Sequence, residues 1–181
     1  MRSLRGQLLV AGPSLLDPNF RRTVVLLGEH GEDGAMGLVL NRVSEVTVAD
    51  AVPPIADLVG DGELVHVGGP VQPQAVVVLA DFVEPHRAGA LVLDTIGFLP
   101  GDVDDEADLG ELRSVRVYAG YAGWGPGQLE DELEEQSWVV LPARASDVFT
   151  TAPDALWSEV LRRQGGALGV LALLPEDPHV N

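Results

Sequence analysis

The sequence predicts a mixed α+β fold, with a mostly antiparallel sheet that is curled or barrel-like and has helices on its flank. Short runs of Val, Leu and Ala come first along the chain, and β-branched residues favour strands. Helical patterns are interspersed later, without the sustained strand–helix alternation of a doubly wound parallel sheet. No repeat and no linker divides the chain, so residues 1–181 are predicted to form one domain.

The first elements form a simple pattern. Residues 8–11 are a short apolar run that ends at Gly12-Pro13, which predicts a strand. Residues 23–27 and 36–40 are two further strand-like runs, and turn residues at 31–34 lie between them. These two runs therefore predict a β-hairpin whose open end lies away from the turn.

The remaining elements follow from the same reasoning. Thr47 is predicted to cap a short helix that runs through Val52. The acidic segment 102–112 is predicted to be a loop or a short helix, and residues 176–181 a loose tail. The other predicted strands are 64–67, 75–80, 90–96, 115–122 and 138–141, and the other predicted helices are 128–136 and 154–164.

Composition narrows the chemistry that the chain can perform. Its net charge is −17, all 11 basic residues are Arg, and neither Cys nor Lys is present. The missing side chains exclude disulfides, thiolate metal sites, Cys nucleophiles and Schiff-base chemistry. The negative field disfavours direct contact with nucleic acid or an anionic membrane surface, and no apolar run approaches the roughly 20 residues of a membrane span. We expect a soluble acidic protein without a recognisable catalytic apparatus, cofactor or metal.

Four polar residues are predicted to lie together at the open end of the hairpin. Asn19 and Arg22 precede its first strand, and Asn41 and Arg42 follow its second. Loops at strand ends are common places for binding sites. Turn formation and ordinary ion pairing are the alternative explanation for the same residues.

A glycine-rich segment at 120–127 leads from a predicted strand into a predicted helix. This arrangement can cradle an anion, but the glycine spacing does not match a dinucleotide-binding fingerprint, and the helix is acidic. A structural role explains more, with Gly125 as N-cap and Pro126 in the first helical position. Trp124, Gln128 and Glu130 at this corner are candidate contact residues.

The sequence does not match the patterns of a calcium-binding loop, a helical metal site or a nucleophile elbow. The acidic segment from Asp102 lacks the Gly and Glu that an EF-hand calcium loop needs. No two of the four His residues, which include His30 and His66, have helical metal-ligand spacing. Ser14 lacks the second Gly of a nucleophile elbow.

Four segments together resemble the AlgH/YqgE family of bacterial proteins. They are residues 6–11 with 17–27 (GQLLVA, DPNFRRTVVLL), 37–42 (GLVLNR), 68–71 (GGPV) and 120–132 (GYAGWGPGQLEDE). Val43 departs from the Pro that is usual in the family, and the strand ending at Ala80 lacks a His often found there. The resemblance implies an α+β fold with a bifurcated, barrel-like sheet and a cytoplasmic bacterial protein. It implies no reaction, although one branch carries the label of transcriptional regulator of alginate synthesis.

Three functional hypotheses follow. The first is a non-enzymatic regulatory or adaptor protein that binds a protein or small ligand through Asn19, Arg22, Asn41 and Arg42 together with the corner at 124–130. The second is a cofactor-independent enzyme that uses Arg and carboxylates, with Glu130 or Glu132 as acid–base group. The third is a regulator that contacts DNA directly. Neither the partner nor an oligomeric state can be predicted from the residues.

Overall fold

The computed structural model describes residues 2–101 and 107–174, and within them ten strands form one sheet that is not closed. The strand order is β10-β1-β2-β3-β9-β6-β8-β7, and β5 branches from β9 and carries β4 at its outer edge. Among the described strands, every pairing is antiparallel except that of β5 with β9. The predicted α+β class and mostly antiparallel sheet are confirmed.

The strands are β1 (Gln7–Ala11), β2 (Val24–Gly31), β3 (Gly34–Val39), β4 (Val43–Thr47), β5 (Leu64–Val67), β6 (Val71–Phe82), β7 (Ala90–Leu93), β8 (Ile96–Phe98), β9 (Leu112–Trp124) and β10 (Trp138–Pro142). The helices are α1 (Val48–Ala51), α2 (Gln128–Glu134), α3 (Ala145–Val148), α4 (Pro153–Gln164) and α5 (Gly166–Leu171), and short 3₁₀ turns span Pro53–Leu58 and Pro85–Arg87.

The sheet curls because both of its halves contribute to one core. Leu8 and Leu26 from the first strands pack in the same buried cluster as Ile96 from β8. Helix α4 covers this inner core, and the indole Nε1 of Trp157 donates a 2.9 Å hydrogen bond to the Ala11 carbonyl. Two smaller clusters lie elsewhere, one beside α2 and the loop before β2, the other beside α1.

Close contact between the backbones of two segments explains why glycines occupy the branch point of the sheet. A Cβ on Gly68 would lie 2.3 Å from the Gly120 carbonyl oxygen, and one on Gly69 would lie 2.2 Å from the Tyr121 carbonyl carbon. Gly69 also has a φ of +154° and Gly120 a φ of +73°, which side-chain-bearing residues rarely adopt. These glycines therefore let the end of β5 cross β9 at backbone contact distance.

Two predicted elements need correction. The single strand expected at 90–96 is a hairpin of β7 and β8, because Asp94 has a φ of +52° and Thr95 donates a 2.6 Å hydrogen bond to Asp81. Helix α2 begins at Gln128, with Gly127 rather than Gly125 as N-cap. The short helices α3 and α5 were not predicted. Part of the acidic segment, 102–106, and the tail 176–181 lie outside the described residues.

Candidate functional site

Asn41 joins the two strands of the hairpin at its open end. Its Oδ1 accepts a 3.0 Å hydrogen bond from the Val24 amide, and its Nδ2 donates a 2.8 Å hydrogen bond to the Arg22 carbonyl. Both contacts are partly buried and reach main-chain groups of the segment that leads into β2. The Asn41 side chain therefore holds the loop before β2 in place.

Arg42 completes the same loop and lines a small cavity. Its Nη1 donates to the Asn19 carbonyl at 2.8 Å and its Nη2 to the Arg21 carbonyl at 3.1 Å. Burial lowers the pKa of Arg42, and the nearby charge of Asp17 partly opposes this change. A cavity of about 70 Å³ lies beside it, lined by Asn19, Val39, Arg42, Val67, Gly69 and Pro70. We call this the Arg42 cavity.

Arg22 contacts a different part of the molecule. It has a φ of +54°, and its guanidinium carbon lies 4.3 Å from the ring centroid of Trp157 in α4. One Nη donates to the Leu174 carbonyl. Arg22 therefore does not line the Arg42 cavity, although its carbonyl is held by Asn41.

Trp124 and Gln128 stabilise the corner between β9 and α2. The indole of Trp124 is buried and packs edge-on against Trp138, with ring centroids 6.0 Å apart. The indole N–H groups of Trp124 and Trp138 both donate to the same carboxylate oxygen of Glu132. The Gln128 side chain accepts a 3.0 Å hydrogen bond from the Gly125 amide, and so closes the turn that precedes the helix.

Glu130 forms a side-chain hydrogen bond with His30 beside a second, larger cavity. Its Oε1 lies 2.7 Å from Nε2 of His30, whose Nδ1 accepts a 2.9 Å hydrogen bond from the Leu4 amide. The hydrogen bond from His30 lowers the pKa of Glu130. The adjoining cavity, of about 380 Å³, is lined by residues 29–36 and Trp124, and three of these residues are acidic: Glu29, Glu32 and Asp33.

The predicted site residues are thus divided between two places. Asn19 and Arg42 line the cavity at the open end of the hairpin, whereas Glu130 lies near the turn at the other end. Phe20 connects the two regions, because its ring packs against both Trp124 and Trp138 at centroid distances of 6.4 and 5.7 Å. Aromatic packing therefore links the corner between β9 and α2 to the open end of the hairpin.

Sequence reasoning missed a group of buried polar residues on β5 and β9. His66, Arg116 and Tyr118 are almost completely enclosed, and we call them the buried cluster. Burial lowers the pKa of His66 to about 4, and the charge of Arg116 adds to the effect. Burial also raises the pKa of Tyr118. The sequence feature that could have revealed this group is the presence of polar residues within Val-rich strands.

In residues 2–101 and 107–174, no group of three or more His, Asp or Glu side chains is arranged to hold a metal ion. No helix in these same ranges is both long and apolar enough to cross a membrane.

Comparison with known proteins identifies relatives that align over nearly all of the chain. A UPF0301 protein of Streptomyces avermitilis is 45% identical and aligns over 99% of this chain and 96% of its own length. A UPF0301 protein of Mycobacterium tuberculosis is 41% identical over 95% of this chain and 88% of its own length.

Two solved structures share the fold. Protein DIP2367 of Corynebacterium diphtheriae superposes with a TM-score of 0.83 at 30% identity, covering 96% of this chain and 94% of that one. The AlgH protein of Pseudomonas aeruginosa gives a TM-score of 0.71 at 30% identity, covering 97% and 98%. The AlgH-like family model matches residues 8–169. The chain therefore belongs to the AlgH-like family, as its four sequence segments predicted.

Proposed function

We propose that this chain is a non-enzymatic regulatory or adaptor protein that binds a protein partner at the Arg42 cavity. The observation that carries the proposal is the combination of this cavity with exposed valines beside it. Val67 lines the cavity and is 40% exposed, and Val43 on the neighbouring strand is also exposed. An Arg at the margin of an apolar patch is typical of protein-binding surfaces.

The volume of the cavity favours a protein over a small molecule. Pockets that enclose drug-sized ligands measure about 300–1,000 Å³, whereas this cavity measures about 70 Å³. A space of that size admits one small side chain from a partner. The partner group that fits is a short aliphatic side chain next to a carboxylate or carbonyl oxygen, because Arg42 donates hydrogen bonds and Val39 and Val67 are apolar.

The enzymatic alternative receives less support from the same residues. A general acid at neutral pH needs a raised carboxyl pKa, but the pKa of Glu130 is lowered by His30. Glu132 accepts hydrogen bonds from two indoles, which gives its carboxylate a structural role.

Direct DNA binding is also weakly supported. At least seven of the 11 arginines donate hydrogen bonds to groups of the chain itself: Arg5, Arg22, Arg42, Arg87, Arg113, Arg116 and Arg163. Arginines tied to separate parts of the chain do not present the row of free guanidinium groups that neutralises successive phosphates of a nucleic acid, and the net charge of −17 repels a polyanion.

The test compares surface variants in affinity capture. Purified wild-type chain, Val67→Asp and Val170→Asp are immobilised and exposed to an extract of the native host, and bound proteins are quantified by mass spectrometry. Val170 is a matched control, since it is 64% exposed on α5, outside the lining of the cavity. Circular dichroism and thermal unfolding establish that each variant is folded.

We expect one or a few proteins whose recovery falls about tenfold or more with Val67→Asp, the effect of about 1.4 kcal/mol of lost binding. Recovery is expected to stay within about twofold with Val170→Asp, because surface changes away from an interface have small effects. A set of captured proteins that is unchanged by Val67→Asp would show that the Arg42 cavity is not the binding surface.

A further inference from the structure

The buried cluster brings three polar side chains to one face of the sheet. His66 in β5 is the register partner of Tyr118 in β9, and their ring centroids lie 5.7 Å apart. Arg116 precedes Tyr118 by two residues, so both side chains leave the strand on the same side. The intervening Val117 packs into the core on the opposite side, beside α1.

Each member of the cluster has one buried polar atom that no described residue satisfies. These atoms are Nδ1 of His66, the hydroxyl of Tyr118 and Nε of Arg116. The residues are 5%, 0% and 8% exposed. Buried polar atoms in proteins are nearly always hydrogen-bonded, so three unpaired atoms on adjacent positions need an explanation.

The arrangement of Arg116 indicates what would pair with these atoms. Its Nη1 donates a 2.7 Å hydrogen bond to the Thr150 carbonyl, which fixes one side of the guanidinium. Its Nη2 faces Glu63 at 3.7 Å, beyond hydrogen-bond length, and its Nε is unpaired among the described residues. The Nε–Nη2 edge is the side of an Arg that binds carboxylates and phosphates through two parallel hydrogen bonds.

We propose that this edge of Arg116, together with Tyr118 and His66, is a binding site for a small oxyanion, either a carboxylate or a phosphate. The Tyr118 hydroxyl can donate to a further oxygen of the ligand, and so can Nδ1 of a neutral His66 in the tautomer that carries its proton on Nδ1. Cations are excluded from this site because they would meet the buried charge of Arg116. This site does not depend on the Arg42 cavity or on the function proposed for it.

Glu63 is the competitor that the protein itself supplies. Its carboxylate is partly exposed and lies close to the same edge of Arg116, so a bound oxyanion must share the Arg with a like charge. Neutralising Glu63 without changing its shape should therefore strengthen oxyanion binding. A purely structural role for Arg116 predicts no such gain.

The experiment measures binding of sodium formate and of inorganic phosphate to the full chain, with sodium chloride at equal ionic strength as reference. Thermal unfolding and the NMR signals of the His66 imidazole are recorded in wild type, Glu63→Gln, Tyr118→Phe and Tyr121→Phe. Tyr121 lies on the same strand and serves as the matched tyrosine control.

We expect formate, phosphate or both to raise the wild-type melting temperature by about 3 °C or more at saturation and to shift the His66 signals. A response to formate alone assigns a carboxylate ligand, and a response to phosphate alone assigns a phosphate. Glu63→Gln should lower the dissociation constant about tenfold and Tyr118→Phe should raise it about tenfold, whereas Tyr121→Phe should leave it unchanged. Responses that match chloride in both wild type and Glu63→Gln would overturn the proposal, as would equal binding by all four proteins.

Discussion

Two regions of the molecule differ in whether their polar side chains are hydrogen-bonded. One is the loop held by Asn41 and Arg42, and the other is the buried cluster. In the loop, Asn41 uses both ends of its amide on main-chain partners, and both Nη atoms of Arg42 donate to carbonyls. In the cluster, each side chain keeps a buried polar atom that no described residue pairs. Satisfied groups stabilise a fold, whereas unsatisfied ones reduce its stability unless something else binds them.

This difference changes how the family segments should be interpreted. Asn41, Gly69 and Gly120 lie within the segments that identify the family, and each has a structural task in the loop or at the branch of the sheet. The members of the buried cluster lie outside all four segments. In this molecule the recognisable motifs are mainly architectural, and the groups without a structural explanation lie between them.

The largest effect is expected where the motif glycines cross. Gly69→Ala places a Cβ 2.2 Å from the Tyr121 carbonyl carbon in a backbone conformation with φ of +154°. We expect a loss of about 3 kcal/mol or more in the free energy of unfolding, from strain and displaced backbone. Gly60→Ala is the control, since a Cβ there meets no described atom within 4 Å. Urea unfolding of both variants measures the difference, and a Gly69→Ala protein as stable as Gly60→Ala would show that the crossing tolerates a side chain.

A pH-dependent effect is expected from the buried cluster. The pKa of His66 falls from 6.5 to about 4 on folding, chiefly through burial, so the folded state resists protonation. The contribution of the neutral His66 to the free energy of unfolding is fully present above pH 6.5. It is lost as the pH falls towards 4, by up to about 3 kcal/mol in total.

The replacement His66→Phe separates this contribution from that of the carboxylates. The difference in unfolding free energy between wild type and His66→Phe should change steadily between pH 7 and pH 4 and become constant below that range. A difference that stays flat over the interval would mean that His66 is not held neutral by its surroundings.

Much of the fold could be predicted from local sequence, because strands and turns depend on nearby residues. The hairpin of β2 and β3 and the cap at Thr47 follow from β-branched runs and turn chemistry. The turn at Asp94 was missed because its residues do not include the Gly or Pro that usually mark a turn. The branch of the sheet at β9 depends on contacts between distant segments, which spacing along the chain does not reveal.

The candidate site was only partly predictable for a similar reason. The pairing of Asn19 with Arg42 follows from the hairpin, which places the two strand ends together. The direction of the Arg22 side chain does not, because it depends on Trp157, far along the chain. The buried cluster needed the parallel register of His66 with Tyr118, and parallel partners are not neighbours in sequence.

The smallest effects give the most direct test of the contrast between the two regions, because they should have opposite signs. Asn41→Ala leaves the Val24 amide and the Arg22 carbonyl without their partner, and we expect a loss of about 2 kcal/mol. Tyr118→Phe removes a hydroxyl that has no described partner and keeps the ring in place, so in ligand-free buffer we expect a gain of about 1 kcal/mol. Chemical denaturation of the two variants and wild type in chloride buffer measures both changes. Destabilisation by Tyr118→Phe would mean that the hydroxyl is already paired in the free protein, and the contrast with Asn41 would then disappear.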